Sequence, residues 1–225
     1  MKKSAYLRQR DLITPAQLDF PVLIIGAGGI GSWATLALAK MGCTNLTVVD
    51  FDRVEEHNLP SQLYIPQQIS YPKVNALQVL LTQLTGVNIH PVAKAFQEYA
   101  INGFTNSFYR VIICAVDSLL QRKEIWELFK KSKQFAATEL YVDARMGGEV
   151  MKLITINLND KESIEKYEQG LASKVKPYRD LCTGRAVIYN TFMCGGFVAN
   201  VVKKFAKNET IRPNLVFDIP SMSIL

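Results

Sequence analysis

Short apolar runs alternate along the chain with longer segments in which apolar residues recur at helical spacing. The apolar runs predict strands at residues 21–26, 45–50, 88–94, 110–116, 138–145 and 149–158. Helices are predicted at 31–41, 73–84, 119–132 and 190–206. Because strands and helices alternate in this way, we predict an α/β fold, a Rossmann-like doubly wound sheet with helices on both faces.

The second half of the chain departs from strict alternation. The last two predicted strands follow each other across residues 146–148, so the sheet is predicted to turn antiparallel there and to be mixed. A polar segment at 159–179 is predicted to be a crossing excursion with a short helix, and the apolar tail at 207–225 to be extended, packing on a neighbour or shaping a substrate groove. Since no repeat, low-complexity tract or Gly/Ser linker divides the chain, we predict one domain over residues 1–225.

The composition fits this interpretation and excludes several functions. A chain of 225 residues that is 48% hydrophobic and 20% charged suits one globular domain. No apolar run reaches the ~18 residues of a membrane span, and the start has no signal-peptide pattern, so we expect a cytoplasmic protein with no membrane partner. The net charge of +6 is scattered, which favours a solvated surface over a nucleic-acid face.

The first predicted strand runs directly into a glycine motif, VLIIGAGGIGSW. Gly26, Gly28 and Gly31 match G-x-G-x-x-G between a strand and a helix, as this motif requires. Glycines let phosphate oxygens approach backbone N–H groups, and the helix N-terminus favours negative charge. The next strand ends at Asp50, from which a carboxylate can bind a ribose hydroxyl. The motif predicts a nucleotide site but leaves NAD, FAD and ATP open.

Two details argue against NAD. Gly29 adds a glycine and gives G-x-G-G-x-G. The segment after the second strand carries further polar groups at Asp52, Asn58 and Gln62.

Further motifs follow in a fixed order: YLRQ at 6–9, GAGGIG, VVDFDRVEEHNL, Gln62, YPK at 71–73, CAVDSLLQR at 114–122, and Cys182 before the last helix. In these motifs, over residues 6–205, the sequence resembles the ThiF/MoeB/HesA adenylyltransferases, relatives of ubiquitin-activating enzymes. The resemblance implies an ATP-dependent adenylyltransferase that activates the C-terminal carboxylate of a ubiquitin-like, sulfur-carrier-type or peptide partner as an acyl-adenylate. Whether thioester or sulfur transfer follows stays open.

The resemblance also implies residue roles at an ATP site. The phosphates would be lined by four glycines: Gly26, Gly28, Gly29 and Gly31. Asp50 would hold the ribose, and Asn58 and Lys73 the triphosphate, while Asp52 and Gln62 contribute further contacts. Each has a plainer alternative, since a lysine at a helix start is often only solvated and Gln62 can simply close its loop.

Three more roles come from the resemblance. Asp117 would hold Mg²⁺, although an aspartate there can also cap the following helix. Arg8 would reach the ATP of a neighbouring subunit, which implies a homodimer. Cys182, with basic residues close in sequence, would receive the activated carboxylate, unless it is only a small apolar residue. Arg122 matches a family position, with a salt bridge as its alternative.

The sequence departs from the family pattern at two points. Ser61 stands where the family has an arginine, and it cannot donate a charged bidentate hydrogen bond to phosphate. Arg145 is our candidate for the replacement, with a strand-end salt bridge as the alternative. The zinc-binding CxxC pairs are also absent, so we expect no zinc and interpret the remaining cysteines, Cys43, Cys114 and Cys194, as core.

Two other functions stay open. The missing arginine makes a catalytically weak nucleotide-binding scaffold a real alternative. A Rossmann oxidoreductase that uses NAD or FAD is less favoured, because no acid, base or hydride-acceptor site is evident beyond the glycine loop.

Overall fold

A computed structural model describes residues 3–102, 108–132, 136–172 and 186–225. Its strands form one eight-stranded sheet in the order β3-β2-β1-β4-β5-β6-β7-β8. The strands are β1 Val22–Ile25, β2 Leu46–Val49, β3 His90–Val92, β4 Val111–Cys114, β5 Leu140–Gly147, β6 Val150–Asn157, β7 Asn214–Asp218 and β8 Ser223–Ile224. The helices are α1 Gly29–Met41, α2 Lys73–Thr85, α3 Phe96–Asn102, α4 Leu119–Lys131, α5 Lys161–Ala172 and α6 Ile188–Ala206.

The first five strands are parallel, and their order reverses beside β1. Ile25, the last residue of β1, lies in register with Val49 of β2 on one side and Cys114 of β4 on the other. The chain therefore leaves β1 and β4 towards opposite faces of the sheet. In open α/β sheets, ligands bind in the crevice outside the strand ends at such a reversal. We call this edge of the sheet the switch edge.

The remaining strands are antiparallel, which confirms the predicted mixed sheet. β5 and β6 form a hairpin whose turn passes through Gly148, at φ +57°. β7 then pairs with β6 and β8 with β7. The tail that was predicted to be extended thus adds two strands that the sequence pattern did not predict.

Helices cover both faces of the sheet, as predicted. One face packs against α1, α2 and α6, and the other against α3, α4 and α5. Adjacent residues of β1 show the consequence, because Leu23 belongs to one core and Ile24 to the other, and both are fully buried. Central strands buried on both faces appear in sequence as continuous apolar runs, which is why they were predictable. The short helix α3 was not predicted, since its 7 residues give little periodicity.

No helix in the described residues is long and apolar enough to cross a membrane. The longest of them, α6, has 19 residues, and its last turn contains Lys203 and Lys204.

Helices α1 and α6 approach each other closely at a glycine. A Cβ atom on Gly195 would lie 2.7 Å from the backbone nitrogen of Ala34 and 2.7 Å from the Cβ of Trp33. The next residue, Gly196, is exposed, and a Cβ there would meet nothing within 4 Å. The two neighbouring glycines therefore differ in what a side chain would meet.

We predict that Gly195→Ala lowers the free energy of unfolding by about 1–3 kcal/mol, because the added methyl group forces α1 and α6 apart. Gly196→Ala should instead be neutral or raise it by up to about 1 kcal/mol, since alanine favours the helix over glycine. Urea unfolding of both variants and the native chain measures the difference. Equal losses in the two variants would contradict the close contact between the helices.

Candidate functional site

The glycine motif forms a loop at the switch edge, between β1 and α1. Gly26 has φ +99°, and a Cβ there would lie 2.8 Å from the carbonyl oxygen of Ala115, in the loop after β4. A Cβ on Gly31 would overlap the carbonyl oxygen of Gly26. Gly28 faces open space, with nothing within 4 Å of a Cβ. The loop is therefore closed against its own backbone on one side and open on the other, where a phosphate can approach the first turn of α1.

The additional glycine of the motif, Gly29, has a different environment. A Cβ on Gly29 would lie 2.9 Å from the Cγ2 of Thr191, near the start of α6. The contact that excludes a side chain here is a packing contact between helices. A phosphate contact at Gly29 remains a prediction from the family resemblance.

Asp50 lies directly behind the glycine loop. Its Oδ2 accepts the Ala27 N–H at 2.6 Å, and its Oδ1 accepts the Asp52 N–H at 2.7 Å. The hydroxyl of Tyr64 donates to the Ala27 carbonyl oxygen at 2.6 Å. Burial raises the pKa of Asp50, and the positive charge of Lys73 opposes that rise. Each carboxylate oxygen keeps a second lone pair, so Asp50 can still accept a ribose hydroxyl.

Lys73 and Asp52 form an ion pair beside this carboxylate. The Lys73 Nζ lies 2.9 Å from the Asp52 Oδ2, and the Lys73 N–H donates to the Asp52 carbonyl oxygen at 2.9 Å. Lys73 is buried at the first turn of α2, whereas the Asp52 side chain is about half exposed. The alternative of a merely solvated lysine is therefore wrong. The pair places one buried ammonium group next to Asp50.

The segment between β2 and α2 packs on α1 and α6 through its backbone. The Ser61 carbonyl oxygen accepts hydrogen bonds from the Trp33 indole at 3.0 Å and from the Thr191 hydroxyl at 2.7 Å. Asn58 is buried, and its Oδ1 accepts the Glu55 N–H at 2.9 Å. The Gln62 Oε1 is buried without a hydrogen-bond partner in the described part of the chain. Ser61 is buried and brings no charge, so the cation of the family pattern is missing at this position.

Asp117 lies in the loop after β4, on the same edge as the glycine loop. Its side chain is exposed and makes no hydrogen bond or ion pair with any described residue. The helix that follows is capped by Ser118, whose Oγ accepts the Gln121 N–H at 3.4 Å, so the capping alternative for Asp117 is wrong.

Binding of Mg²⁺ at Asp117 stays a prediction. Residues 3–102, 108–132, 136–172 and 186–225 contain no group of three or more His, Cys, Asp or Glu side chains close enough to hold a metal. Mg²⁺ often binds through one or two carboxylates plus substrate phosphates and water. The exposed carboxylate of Asp117 fits that mode, with the remaining ligands supplied by a nucleotide.

Comparison with known proteins identifies the family of this chain. The ThiF family profile matches residues 16–223. The chain belongs to the ThiF family. The resemblance predicted from the ordered motifs is confirmed.

Curated relatives within this family match only part of their own length. The molybdopterin-synthase adenylyltransferase of Escherichia coli is 42% identical over 109 residues, 48% of this chain and 43% of that protein. The NEDD8-activating enzyme E1 catalytic subunit of Arabidopsis thaliana is 36% identical over 132 residues, 53% of this chain and 29% of that protein. The chain thus spans less than half the length of these relatives.

Solved structures confirm the predicted fold class. The E. coli MccB chain crystallised with AMPCPP and MccA has a TM-score of 0.72 at 14% identity, covering 100% of this chain and 71% of that one. The E. coli tRNA N6-threonylcarbamoyladenosine dehydratase TcdA has a TM-score of 0.67 at 19% identity, covering 92% and 95%. At these identities the likeness concerns the fold alone.

Arg145, our candidate for the missing cation of the ThiF pattern, forms a salt bridge. Its guanidinium donates to Asp143 Oδ2 at 2.5 and 3.0 Å. Arg122 is buried and pairs with the other oxygen of Asp143, and it donates to the Ala144 carbonyl oxygen at 2.9 Å. The Tyr167 hydroxyl donates to the same carboxylate at 2.8 Å. The salt-bridge alternatives for both arginines are confirmed, and a phosphate contact of Arg145 stays a prediction.

Arg8 lies at the opposite edge of the sheet from the glycine loop. It belongs to a 3₁₀ helix, Lys3–Gln9, that packs on the C-terminal end of α1, where the Gln9 side chain donates to the Met41 carbonyl oxygen at 2.7 Å. The 13 residues of α1 span about 20 Å, and the glycine loop is at the other end. Arg8 is exposed and forms no ion pair with a described residue.

The cysteines divide into two groups. Cys43, Cys114 and Cys194 are fully buried, as predicted for core residues. Burial raises the pKa of the Cys43 and Cys194 thiols to about 12, which makes them poor nucleophiles. Cys182 lies outside the described residues, so its proposed role as an acceptor thiol stays a prediction.

Two residues of the site were not predicted from the sequence. Tyr64, which holds the Ala27 carbonyl, sits in an apolar run and carries no motif signal. Asp143, which holds two arginines, lies inside a buried strand. A charged residue within an otherwise apolar strand is the one signal that could have found it, because such a charge needs a partner.

We predict that Asp143→Asn lowers the free energy of unfolding by about 3–5 kcal/mol at pH 7, because it leaves the buried Arg122 without a counter-charge. Urea unfolding measures the loss. Glu162→Gln, which removes an exposed partner of Lys166, is the control and should change little. A small loss for Asp143→Asn would mean that the backbone carbonyls alone satisfy Arg122.

The same variant should change the pH dependence of stability. Burial by itself would raise the pKa of Asp143, but Arg122 and Arg145 outweigh it and hold the pKa below its ordinary value. The stability from Asp143 is therefore complete above its ordinary pKa, about 3.9, and is lost as pH falls through the lower folded-state value. Asp143→Asn should lack this acid-dependent component.

Proposed function

We propose that this protein is an ATP-dependent adenylyltransferase that activates the C-terminal carboxylate of a ubiquitin-like, sulfur-carrier-type or peptide partner. The observation that carries the proposal is the convergence, at the switch edge, of the open glycine loop, the half-buried Asp50 and the Lys73–Asp52 ion pair. The names of the ThiF-family relatives, a molybdopterin-synthase adenylyltransferase and a NEDD8-activating subunit, support it. We expect the reaction to take place in the cytoplasm.

The reaction needs positioned charge more than proton transfer. A carboxylate oxygen of the partner attacks the α-phosphorus of ATP, the bond from that phosphorus to the bridging oxygen breaks, and pyrophosphate leaves. The nucleophile is already ionised at pH 7, so no general base is required. What the protein supplies is an arrangement of N–H donors and cations that is fixed before charge builds up.

Lys73 is the residue we assign to that charge. Its ammonium group is buried at the switch edge and held by one oxygen of the half-exposed Asp52. Extra negative charge on the α-phosphate would compete with Asp52 for the ammonium protons. The flexible side chain of Lys73 lets its ammonium group move from the Asp52 carboxylate to the α-phosphate without any rearrangement of α2.

Asp117 would hold Mg²⁺, which supplies positive charge to the phosphates when bound. Its carboxylate is exposed and unengaged by described residues, on the loop that contacts Gly26 through Ala115. The Asp117 side chain is therefore on the solvent-exposed side of the site, whereas the Lys73 side chain is buried.

We also propose a homodimer in which Arg8 serves the partner's site. Within one chain, Arg8 is separated from the glycine loop by the length of α1, about 20 Å. An arginine at that distance can act on a nucleotide only from another copy of the chain. In a two-fold dimer each chain would then complete the site of the other.

A nucleotide-binding scaffold without turnover is the second candidate. The observation that favours it is Ser61, which is buried and leaves the site without the arginine of the family pattern. Such a protein would bind ATP but not cleave it. An oxidoreductase would instead reduce NAD.

Exchange of labelled pyrophosphate into ATP separates these candidates. With a panel of ubiquitin-like proteins and glycine-ended peptides, we expect exchange that falls by about 10²–10³-fold in Lys73→Ala, because a preorganised cation at the developing charge is lost. Lys40→Ala, at the far end of α1, should leave the rate unchanged. ATP binding without exchange would favour the scaffold.

Cys182→Ala in the same assay tests the thiol step. If exchange is kept while transfer of the partner to the protein is lost, Cys182 acts after adenylation. If both are kept, the protein adenylates without a thiol step.

Mixing two inactive variants tests the shared site. Arg8→Ala and Lys73→Ala should each be inactive alone, but a mixed dimer contains one site with both native residues. With random subunit exchange we expect roughly a quarter of the native activity to return, as two-fold symmetry predicts. Size-exclusion chromatography confirms that the variants still associate. No recovery in a mixture that forms mixed dimers would exclude a role for Arg8 across the interface.

A further inference from the structure

A groove that contains none of the residues of the glycine loop runs along β6. It lies between β6, α5 and the segment before β7, and it encloses about 810 Å³, within the range of ligand sites. Its floor is formed by Lys152, Ile154 and Ile156 of β6. Tyr167 and Gly170 of α5 form one wall.

Two cations face each other at one end of this groove. Arg145 of β5 and Lys152 of β6 are direct partners in the antiparallel register, so their side chains leave the same face of the sheet. Like charges at such a position are destabilising. The carboxylate next to them, Asp143, is shared between Arg122 and Arg145. Three cationic side chains, those of Arg122, Arg145 and Lys152, therefore lie near a single carboxylate, that of Asp143.

The carboxylates that line the groove do not balance Lys152, because each has another partner. The ion pairs are Glu139 with Arg110 at 2.5 Å, Glu162 with Lys166 at 2.6 Å and Glu209 with Lys203 at 2.6 Å. Asp160 accepts the Glu162 N–H at 3.0 Å. Asp218 of β7 lies opposite Val150, two residues from Lys152 and so on the same face of the sheet, and it forms no ion pair with Lys152.

Lys152 itself is half-buried and makes no hydrogen bond or ion pair with any described residue. Burial, and then the charge of Arg145, lower the pKa of its amino group. A half-buried ammonium opposite a guanidinium is a costly arrangement in a protein without a ligand. The charge at this end of the groove is complementary to a carboxylate.

The shape and position of the groove favour a carboxylate carried on a peptide. From Lys152 to Asn157 the floor extends about 17 Å, the length of roughly five residues in extended conformation. The basic end lies towards the switch edge, because Asp143 is in register with Cys114, the last residue of β4. A peptide that follows β6 towards the nucleotide site would pass Lys152 shortly before it reaches that edge.

We propose that Lys152 and Arg145 form a subsite that binds an acidic side chain in the extended C-terminal segment of the partner. The assignment to the partner rests on the proposed adenylation, whereas the anion site itself does not. Binding of peptide is therefore measured without ATP, so that a failure here is separate from a failure of pyrophosphate exchange.

Calorimetry with two matched hexapeptides, acetyl-GEGEGG and acetyl-GQGQGG, tests the subsite. We expect the acidic peptide to bind the native protein more tightly, and Lys152→Gln to weaken it by about tenfold, the size of one charge-assisted contact. Lys166→Gln is the matched control, since Lys166 also lines the groove but is already paired with Glu162. Lys152→Gln should fold normally, because it removes a repulsion.

A spectroscopic readout distinguishes binding from a purely structural role. Lysines carrying ¹³C-methyl groups are titrated by NMR, and the Lys152 signal should show a lowered pKa that rises when the acidic peptide is added. The proposal is overturned if both peptides bind equally, or if Lys166→Gln weakens binding as much as Lys152→Gln. Binding of free succinate as tight as that of the acidic peptide, lost in Lys152→Gln, would assign the site to a small carboxylate and overturn the peptide.

Discussion

The carboxylate of Asp50 fixes the end of β2 to the loop that follows β1, and the nucleotide site depends on this contact. Asp50 accepts the N–H of Ala27, and Tyr64 donates to the carbonyl of the same residue. Both polar groups of Ala27 are thus satisfied inside the protein, as buried backbone requires. Gly28, the next residue, is left facing open space. The loop is ordered before a nucleotide arrives, which lowers the entropy cost of binding.

The same carboxylate connects the loop to the cation. Its second oxygen holds the backbone of Asp52, whose own carboxylate and carbonyl hold Lys73 at the start of α2. Asp50, the glycine loop and the Lys73 ammonium group therefore form one connected unit. Burying charge has a cost, seen in the raised pKa of Asp50, and the nearby Lys73 offsets part of it.

Much of this unit could be predicted because its signals are local. Strands buried on both faces produce continuous apolar runs, and the glycine motif marks its own place between a strand and a helix. The partners of individual side chains depend on register and could not be predicted. Arg145 meets Asp143 because alternate residues of a strand share a face, and Ser118 rather than Asp117 caps α4. The pairing of β7 with β6 joins residues too distant in sequence for a local pattern to indicate.

The two halves of the sheet meet at β5, and Asp143 connects them. β5 is parallel to β4 and antiparallel to β6. Asp143 lies in register with Cys114 of β4, in the parallel half, and Arg145 lies opposite Lys152 of β6, in the antiparallel half. Arg122, on the other oxygen of Asp143, also donates to the backbone of the loop that carries Asp117. If an anion bound at Lys152 also drew Arg145 towards it, Asp143 would keep Arg122 and the Tyr167 hydroxyl as partners. The groove and the loop of Asp117 are thus joined by direct contacts through one buried carboxylate.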